Sequence, residues 1–303
     1  MLASPRGFCA GVTRAIDAVR AALLKHGPPV YVRRPIVHNM AVVRSLEAEG
    51  AVFVRELAEV PEGAVVLLSA HGSAPAIAEE ARSRKLVAYD AVCPLVAKVH
   101  REVDRHRRDG RKIILIGHLG HPEIEGTLGR VASGGAYVIN SVEAVANLPL
   151  ERDQPAAWAV QTTYSVDDAQ AIVEALRAQF SDLVGPASSD ICYATTNRQM
   201  AIRAIAEQAD AIIVVGEQFS SNASRLAEVA KVHCENVQLV AGAQEIDWSL
   251  LPLHGTVGIS AAASTPEWSI DEVIAAISGR YVVSLEEIGS SPERAAFRPL
   301  ELT

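Results

Sequence analysis

Cys9, Cys93 and Cys192 are each followed, after 29, 28 and 28 residues, by a polar residue: His38, His121 and Ser220. A second polar residue, His71, Thr162 or Ser264, comes 62, 69 and 72 residues after the same cysteines. Three similar units that each offer a thiolate and polar groups at matching places point to one shared central site. Three cysteines suit a soft metal centre, because thiolates select zinc, copper(I) or iron–sulfur clusters. The chain has no C-x-x-C pair, which disfavours a zinc ribbon or a thioredoxin-type site and draws the ligands from far apart in sequence. Cys234, in KVHCENV, breaks the repeat and reads as a small core hydrophobe.

The polar residues have bland readings as well as chemical ones. Gly117 to Glu123 (GHLGHPE) packs His118, His121 and a carboxylate behind an apolar run. It reads as a polar loop opening a helix, or as a proton-delivery pair in a ligand cleft. A zinc site from His118, His121 and Glu123 would lack the helical H-E-x-x-H spacing. Ser220-Ser221-Asn222 is a helix cap, or a set of donors for phosphate oxygens. His38 in VHN and His71 in AHG are each weak alone. Taken together at analogous junctions, these groups suit an anionic substrate beside a metal centre.

Short Val/Ile/Leu-rich runs without strict alternation alternate with helical patterns along the chain. Strands are expected at 29–34, 65–69, 112–117, 157–162, 211–216 and 256–260. Helices are expected at 11–25, 41–49, 76–84, 95–108, 166–180, 197–208, 223–232 and 269–277. This is the pattern of an α/β protein with largely parallel sheets, covered on both faces. The marked residues then fall at strand C-termini or helix N-termini, where such sheets bind ligands. Ser264-Thr265-Pro266-Glu267 and Ser165-Val166-Asp167-Asp168 read as capped helix starts. The repeat divides the chain into lobes at 1–93, 94–191 and 192–280, with a tail at 281–303.

The 303 residues are 49% hydrophobic and 21% charged, which leaves enough apolar material for a sizeable core. The formal net charge of −8 does not favour nucleic acid or an anionic membrane as partner. Arg33-Arg34 and the arginines from Arg105 to Arg111 read as solvated faces. No apolar run approaches the roughly 20 residues of a membrane span. The opening MLASPRGFCAG has no charged leader followed by an apolar stretch. A cytoplasmic protein is expected, in which four cysteines are poor disulfide partners.

The segments PRGFCAGV, VHN, SAHG, CPL, GHxGHPExEGT, QTT, SVDD, DICYATTNRQ and SSN occur in this order. So arranged, they resemble the 4-hydroxy-3-methylbut-2-enyl diphosphate reductase family, which closes the methylerythritol phosphate route to isoprenoids. The likeness runs from Pro5 to about Ile277. It implies three pseudo-repeated α/β lobes in a trefoil around a central 4Fe-4S cluster. It implies Cys9, Cys93 and Cys192 as cluster ligands, with one iron left for the substrate hydroxyl. His38, His71, His121, Ser220, Ser221, Asn222 and Ser264 would hold the diphosphate. Glu123 would donate protons, with Thr162 and His121 in the same hydrogen-bond relay. A ferredoxin or flavodoxin would deliver two electrons, and isopentenyl and dimethylallyl diphosphates would be the products.

This chain departs from the family pattern in four places, one being a nearly absent first strand, with only Met1 to Ser4 before Pro5. Ala262 stands where the family usually has glycine, and any positive φ there would strain it. Glu217-Gln218-Phe219 replaces a common basic residue and Asn, and Ser4 replaces Asn before Pro5. Two other readings of the residues stand beside the reductase. One is a zinc or iron hydrolase using His38, His71, His121 and Glu123. The other is an iron–sulfur paralogue or sensor that binds a related anionic metabolite.

Overall fold

The computed structural model describes residues 1–289, 293 and 295–303. In chain order the elements are β1 (Leu2–Ser4), α1 (Ala10–His26), β2 (Val30–Arg33), α2 (Met40–Ala48), β3 (Ala51–Val54), β4 (Val65–Leu68), α3 (Pro75–Ser83) and β5 (Val87–Asp90). There follow α4 (Pro94–Arg108), β6 (Lys112–Ile116), α5 (Pro122–Leu128), β7 (Ala136–Ile139), α6 (Val142–Ala146), β8 (Ala156–Val160), α7 (Val166–Gln179) and β9 (Leu183–Val184). The last are α8 (Tyr193–Ala206), β10 (Ala211–Val215), α9 (Ser221–Lys231), β11 (Val237–Val240), β12 (Val257–Ala261), α10 (Glu267–Ser278) and β13 (Glu287–Gly289).

The strands form three parallel sheets, ordered β3-β2-β4-β5, β7-β6-β8-β9 and β11-β10-β12-β1-β13. The α/β class and the three parallel sheets agree with expectation. The reason lies in composition: Ala211–Val215 is wholly buried, and Ile113 to Ile116 nearly so, as strands covered on both faces must be. In the second sheet, Ile114, Ile116 and Val160 pack with Ile172, Leu176 and Phe180 into one apolar cluster.

The three-residue β1 joins the sheet of the third repeat, where it pairs with β12 and β13. It takes the place that β5 and β9 hold in the other two sheets. The chain segment 1–93 therefore contributes to two sheets, and the segment expected as a tail supplies β13. A strand this short, closed by Ser4-Pro5, carries no periodicity from which its partner could be read.

The chain divides into two compact units. The first comprises Met1–Thr13, His38–Arg44 and Tyr193–Phe297, and carries the five-stranded sheet. The second comprises Arg14–Val37, Ser45–Cys192 and Arg298–Thr303, and carries both four-stranded sheets. Among the described residues no helix is long and apolar enough to cross a membrane.

Helix starts follow local chemistry. Pro75, Pro94 and Pro122 occupy first positions, where the missing N–H costs nothing. Ser165 caps α7 by accepting from the Asp168 amide, as its motif suggests. Ser264 does not cap α10. That helix begins at Glu267 behind Pro266, beyond reach of the Ser264 hydroxyl, which donates instead to the His38 carbonyl at 3.0 Å. α8 begins four residues before the expected Asn197, directly after Cys192. The β-branched pair Thr195-Thr196 hides that first turn from a helical pattern.

Candidate functional site

In the second unit, α5 begins at the end of β6, and its N-cap is His121, whose Nδ1 accepts from the Glu123 amide at 3.2 Å. Glu123 in that first turn is 2% exposed. Thr162, just past β8, holds both of its carboxyl oxygens. The Thr162 amide donates to Oε1 at 2.7 Å and the hydroxyl to Oε2 at 2.8 Å. Burial pushes the Glu123 carboxyl up to about 7, against the opposing pull of the two Thr162 bonds. Such a group is an acid near neutral pH, which suits a proton donor. The His71 and His121 rings meet edge to face at 5.9 Å between centroids, and the Ser69 hydroxyl lies 3.4 Å from His71 Nδ1. Glu123, Thr162, His121 and His71 are thus brought together within this unit.

The loop that carries His71 is tightly enclosed. Gly72 has a φ of +77°, and a Cβ there would lie 2.5 Å from His100 Cε1. On the other side, a Cβ on Gly126 of α5 would lie 3.0 Å from the Gly72 carbonyl. Only glycine fits this conformation and closeness.

In the first unit, Ser220 caps α9 by accepting from the Ala223 amide, and Ser221 and Asn222 form its first turn. Asn222 Oδ1 accepts from the Ala263 amide at 2.8 Å, while Nδ2 is buried without a partner. A buried orphan donor calls for a ligand acceptor. The same bond ties the Asn222 turn to the Ala263-Ser264 loop, and Ser264 in turn holds the His38 carbonyl. Burial lowers the His38 imidazole to about 4, so it is neutral at physiological pH. Ala262 keeps an ordinary negative φ and seats its methyl in the space left by Gly216. The expected strain at Ala262 is absent for that reason.

The three cysteines have matching backbone hydrogen bonds. The amides of Cys9, Cys93 and Cys192 donate to the carbonyls of Ala263, Ala70 and Thr162, at 3.2, 2.9 and 3.1 Å. Each acceptor belongs to a polar loop that follows a strand: β12, β4 or β8. Each cysteine directly precedes a helix (α1, α4 or α8), and each is half-buried. None of the four cysteines is in a disulfide, and Cys234 is buried in the core.

Among the described residues, no three His, Cys, Asp or Glu side chains are grouped to hold a single metal ion. A 4Fe-4S cluster asks for something different, since each thiolate binds its own iron. Three half-buried cysteines in matched settings at helix starts fit that donor set.

Two buried residues of the DICYATTNRQ segment were given no separate role by sequence reasoning. Asp190 accepts from the Val160 amide at 3.1 Å and pairs with Lys98 at 3.2 Å, and burial raises it to about 6. It anchors the end of β8, two residues before Thr162. Arg198, fully buried, donates to the Gly7 carbonyl at 2.7 Å and pairs with Glu293, so it holds the loop ahead of Cys9. Charged residues are almost never fully buried unless paired, as these two are. Burial itself, though, is not legible in a short motif. A cavity of about 540 Å³ elsewhere in the first unit, lined by Leu253, Tyr281 and Glu286 among others, contains none of the site residues.

The family described as LytB protein matches residues 1–278. Relatives named 4-hydroxy-3-methylbut-2-enyl diphosphate reductase include that of Ruegeria pomeroyi, 50% identical over 98% of this chain and 94% of its own. That of Mannheimia succiniciproducens is 47% identical over 100% of this chain and 97% of its own. Among solved structures, the E-1-hydroxy-2-methyl-but-2-enyl-4-diphosphate reductase of Plasmodium falciparum superposes with a TM-score of 0.94. It shares 36% identity, over 99% of this chain and 94% of that one.

Proposed function

This chain belongs to the LytB protein family, and from that premise we propose how its residues perform the family's reaction. It is an oxidoreductase that converts 4-hydroxy-3-methylbut-2-enyl diphosphate reductively in the non-mevalonate pathway. The products are isopentenyl and dimethylallyl diphosphates. The conversion removes a hydroxyl as water and consumes two electrons and two protons. Cys9, Cys93 and Cys192 would hold a 4Fe-4S cluster, which would supply the electrons and Lewis acidity when bound.

The observation that carries the proton chemistry is the buried Glu123, held on both oxygens by Thr162 and raised to about 7. In its acid form, Glu123 gives a proton to the departing hydroxyl. The Thr162 hydroxyl donates to Oε2 when Glu123 is ionised, and accepts from it when Glu123 is protonated. Thr162 can therefore pass a second proton without leaving its partner. His121, fixed as the cap of α5, orients the same turn.

His38, His71, His121, Ser220, Ser221 and Asn222 hold the diphosphate, and Ser264, whose hydroxyl proton goes to the His38 carbonyl, contributes by fixing His38. The orphaned Nδ2 of Asn222 is one of the donors such a ligand requires. A neutral His38 can donate to a phosphate oxygen without a fixed charge. A ferredoxin or flavodoxin delivers the electrons. The cytoplasm, which keeps thiols reduced, suits four cysteines outside disulfides.

The test is anaerobic purification, followed by iron, labile sulfide and visible spectra with and without the substrate. A brown protein whose broad absorption shifts with substrate is expected. A cluster indifferent to the substrate points to a paralogue or sensor. A colourless zinc protein after cluster reconstitution overturns the reading.

A further inference from the structure

We propose that Glu217 is a positioning residue for His38, which it holds through the Met40 amide so that the imidazole meets the substrate diphosphate. This rests on the reading of His38 as a diphosphate ligand. Glu217 lies in the Glu217-Gln218-Phe219 stretch, where the family pattern calls for a basic residue. An acid beside an anion site is unfavourable unless its side chain has another task.

That task is visible within the first unit. Glu217 Oε1 accepts from the Met40 amide at 3.0 Å, in the opening turn of α2. There the positive end of the helix favours a carboxylate. The main-chain carbonyl of Glu217 accepts from the Ser220 amide at 3.0 Å, so one residue grips both the 38–40 turn and the cap of α9. The His38 carbonyl is held independently by the Ser264 hydroxyl at 3.0 Å. The Phe219 ring packs edge-on against the imidazole, with 5.8 Å between centroids. His38 is thus clamped through its own carbonyl, through the amide two residues on, and on its ring edge. Two of the three contacts come from the stretch that departs from the family.

Without the carboxylate, the Met40 amide loses its acceptor, and the turn is left with the Ser264 anchor, the Asn39 cap on the Val42 amide and the Phe219 edge contact. The imidazole then samples orientations that miss the diphosphate, which weakens binding more than the chemical step.

The experiment compares wild type, Glu217→Ala, Glu217→Gln and His38→Asn as cluster-loaded enzymes. It measures kcat and KM for 4-hydroxy-3-methylbut-2-enyl diphosphate with reduced methyl viologen. It also measures calorimetric affinity for inorganic diphosphate on the same preparations. Glu217→Ala should raise KM and weaken diphosphate about tenfold, the size of a lost hydrogen bond, while kcat stays within a factor of about two. Glu217→Gln keeps an oxygen for the Met40 amide and should restore both values. It also serves as the arm that folds if the alanine variant does not. Tighter diphosphate binding in both Glu217 variants would mean that the carboxylate merely repels the ligand, and would overturn the proposal. So would loss of affinity in a stably folded Glu217→Gln variant. An unchanged Glu217→Ala beside a weakened His38→Asn overturns positioning and leaves the ligand reading intact. An unchanged His38→Asn overturns both.

Discussion

Thr162 grips both oxygens of the Glu123 carboxyl, with its amide on one and its hydroxyl on the other, at 2.7 and 2.8 Å. The two residues are 39 apart in sequence and sit at the openings of neighbouring β–α connections in one sheet, after β6 and β8. The bonds favour the ionised acid and burial favours the neutral one. Burial wins, so the group titrates near neutrality. An acid poised there can both give up and regain a proton at cellular pH.

Glu123→Gln should keep the cluster and lose turnover by about 10²- to 10⁴-fold, the usual worth of a positioned acid. In wild type the rate should fall as pH rises through about 7, where Glu123 loses its proton. Between its ordinary 4.5 and 7, the folded protein holds this proton and the unfolded chain does not. Stability from this group therefore declines as pH rises across that window. The glutamine variant should consequently be the more stable protein at pH 8 by urea unfolding. Near-normal turnover in it would remove Glu123 as the donor.

Thr162→Val keeps the amide bond and the shape but removes the hydroxyl that favours the ionised acid. The alkaline limb of the rate profile should move to higher pH, with a lower plateau because the relay is cut. An unmoved limb would show that the hydroxyl does not act on Glu123.

Cys9→Ser, Cys93→Ser and Cys192→Ser should each lose iron and labile sulfide in anaerobic preparations. Cys234 is buried among Ile202, Leu226 and Ala230, and its thiol makes a weak contact to the Asn236 carbonyl at 3.7 Å. Cys234→Ser should keep the full cluster content. Iron loss there would reassign the ligands.

His38 and His100 are both lowered to about 4, chiefly by burial. Unfolded histidine titrates at about 6.5. Between these values the unfolded chain binds more protons, so stability rises with pH and is lost as pH falls from 6.5 toward 4. The slope is about 1.4 kcal/mol per pH unit for each histidine. His100→Gln should remove its share of that slope in denaturant titrations at pH 5 and 7. An unaltered slope would mean that His100 is protonated in the folded state.

The repeat of strand, helix and cysteine was legible because buried parallel strands write continuous runs such as IILI and AIIVV, and helix starts write Pro and Ser. The Ser165 cap could be read for the same reason: its acceptor lies three residues away. Ser264 looked identical locally but answers to His38, 226 residues distant, and no local pattern reports such a partner.

Residue types and spacing by themselves pointed to an α/β chain with parallel sheets, and to cysteines and polar groups at strand ends, because burial period and donor chemistry are properties of short segments. Only the tertiary structure decided that β1 completes the third sheet, that Gly216 makes room for Ala262, and that Glu217 holds the His38 turn. It also decided that Thr162 holds both oxygens of a buried acid raised to about 7. Those outcomes depend on desolvation and on bonds between residues tens to hundreds of positions apart, quantities that exist only once the chain has closed on itself.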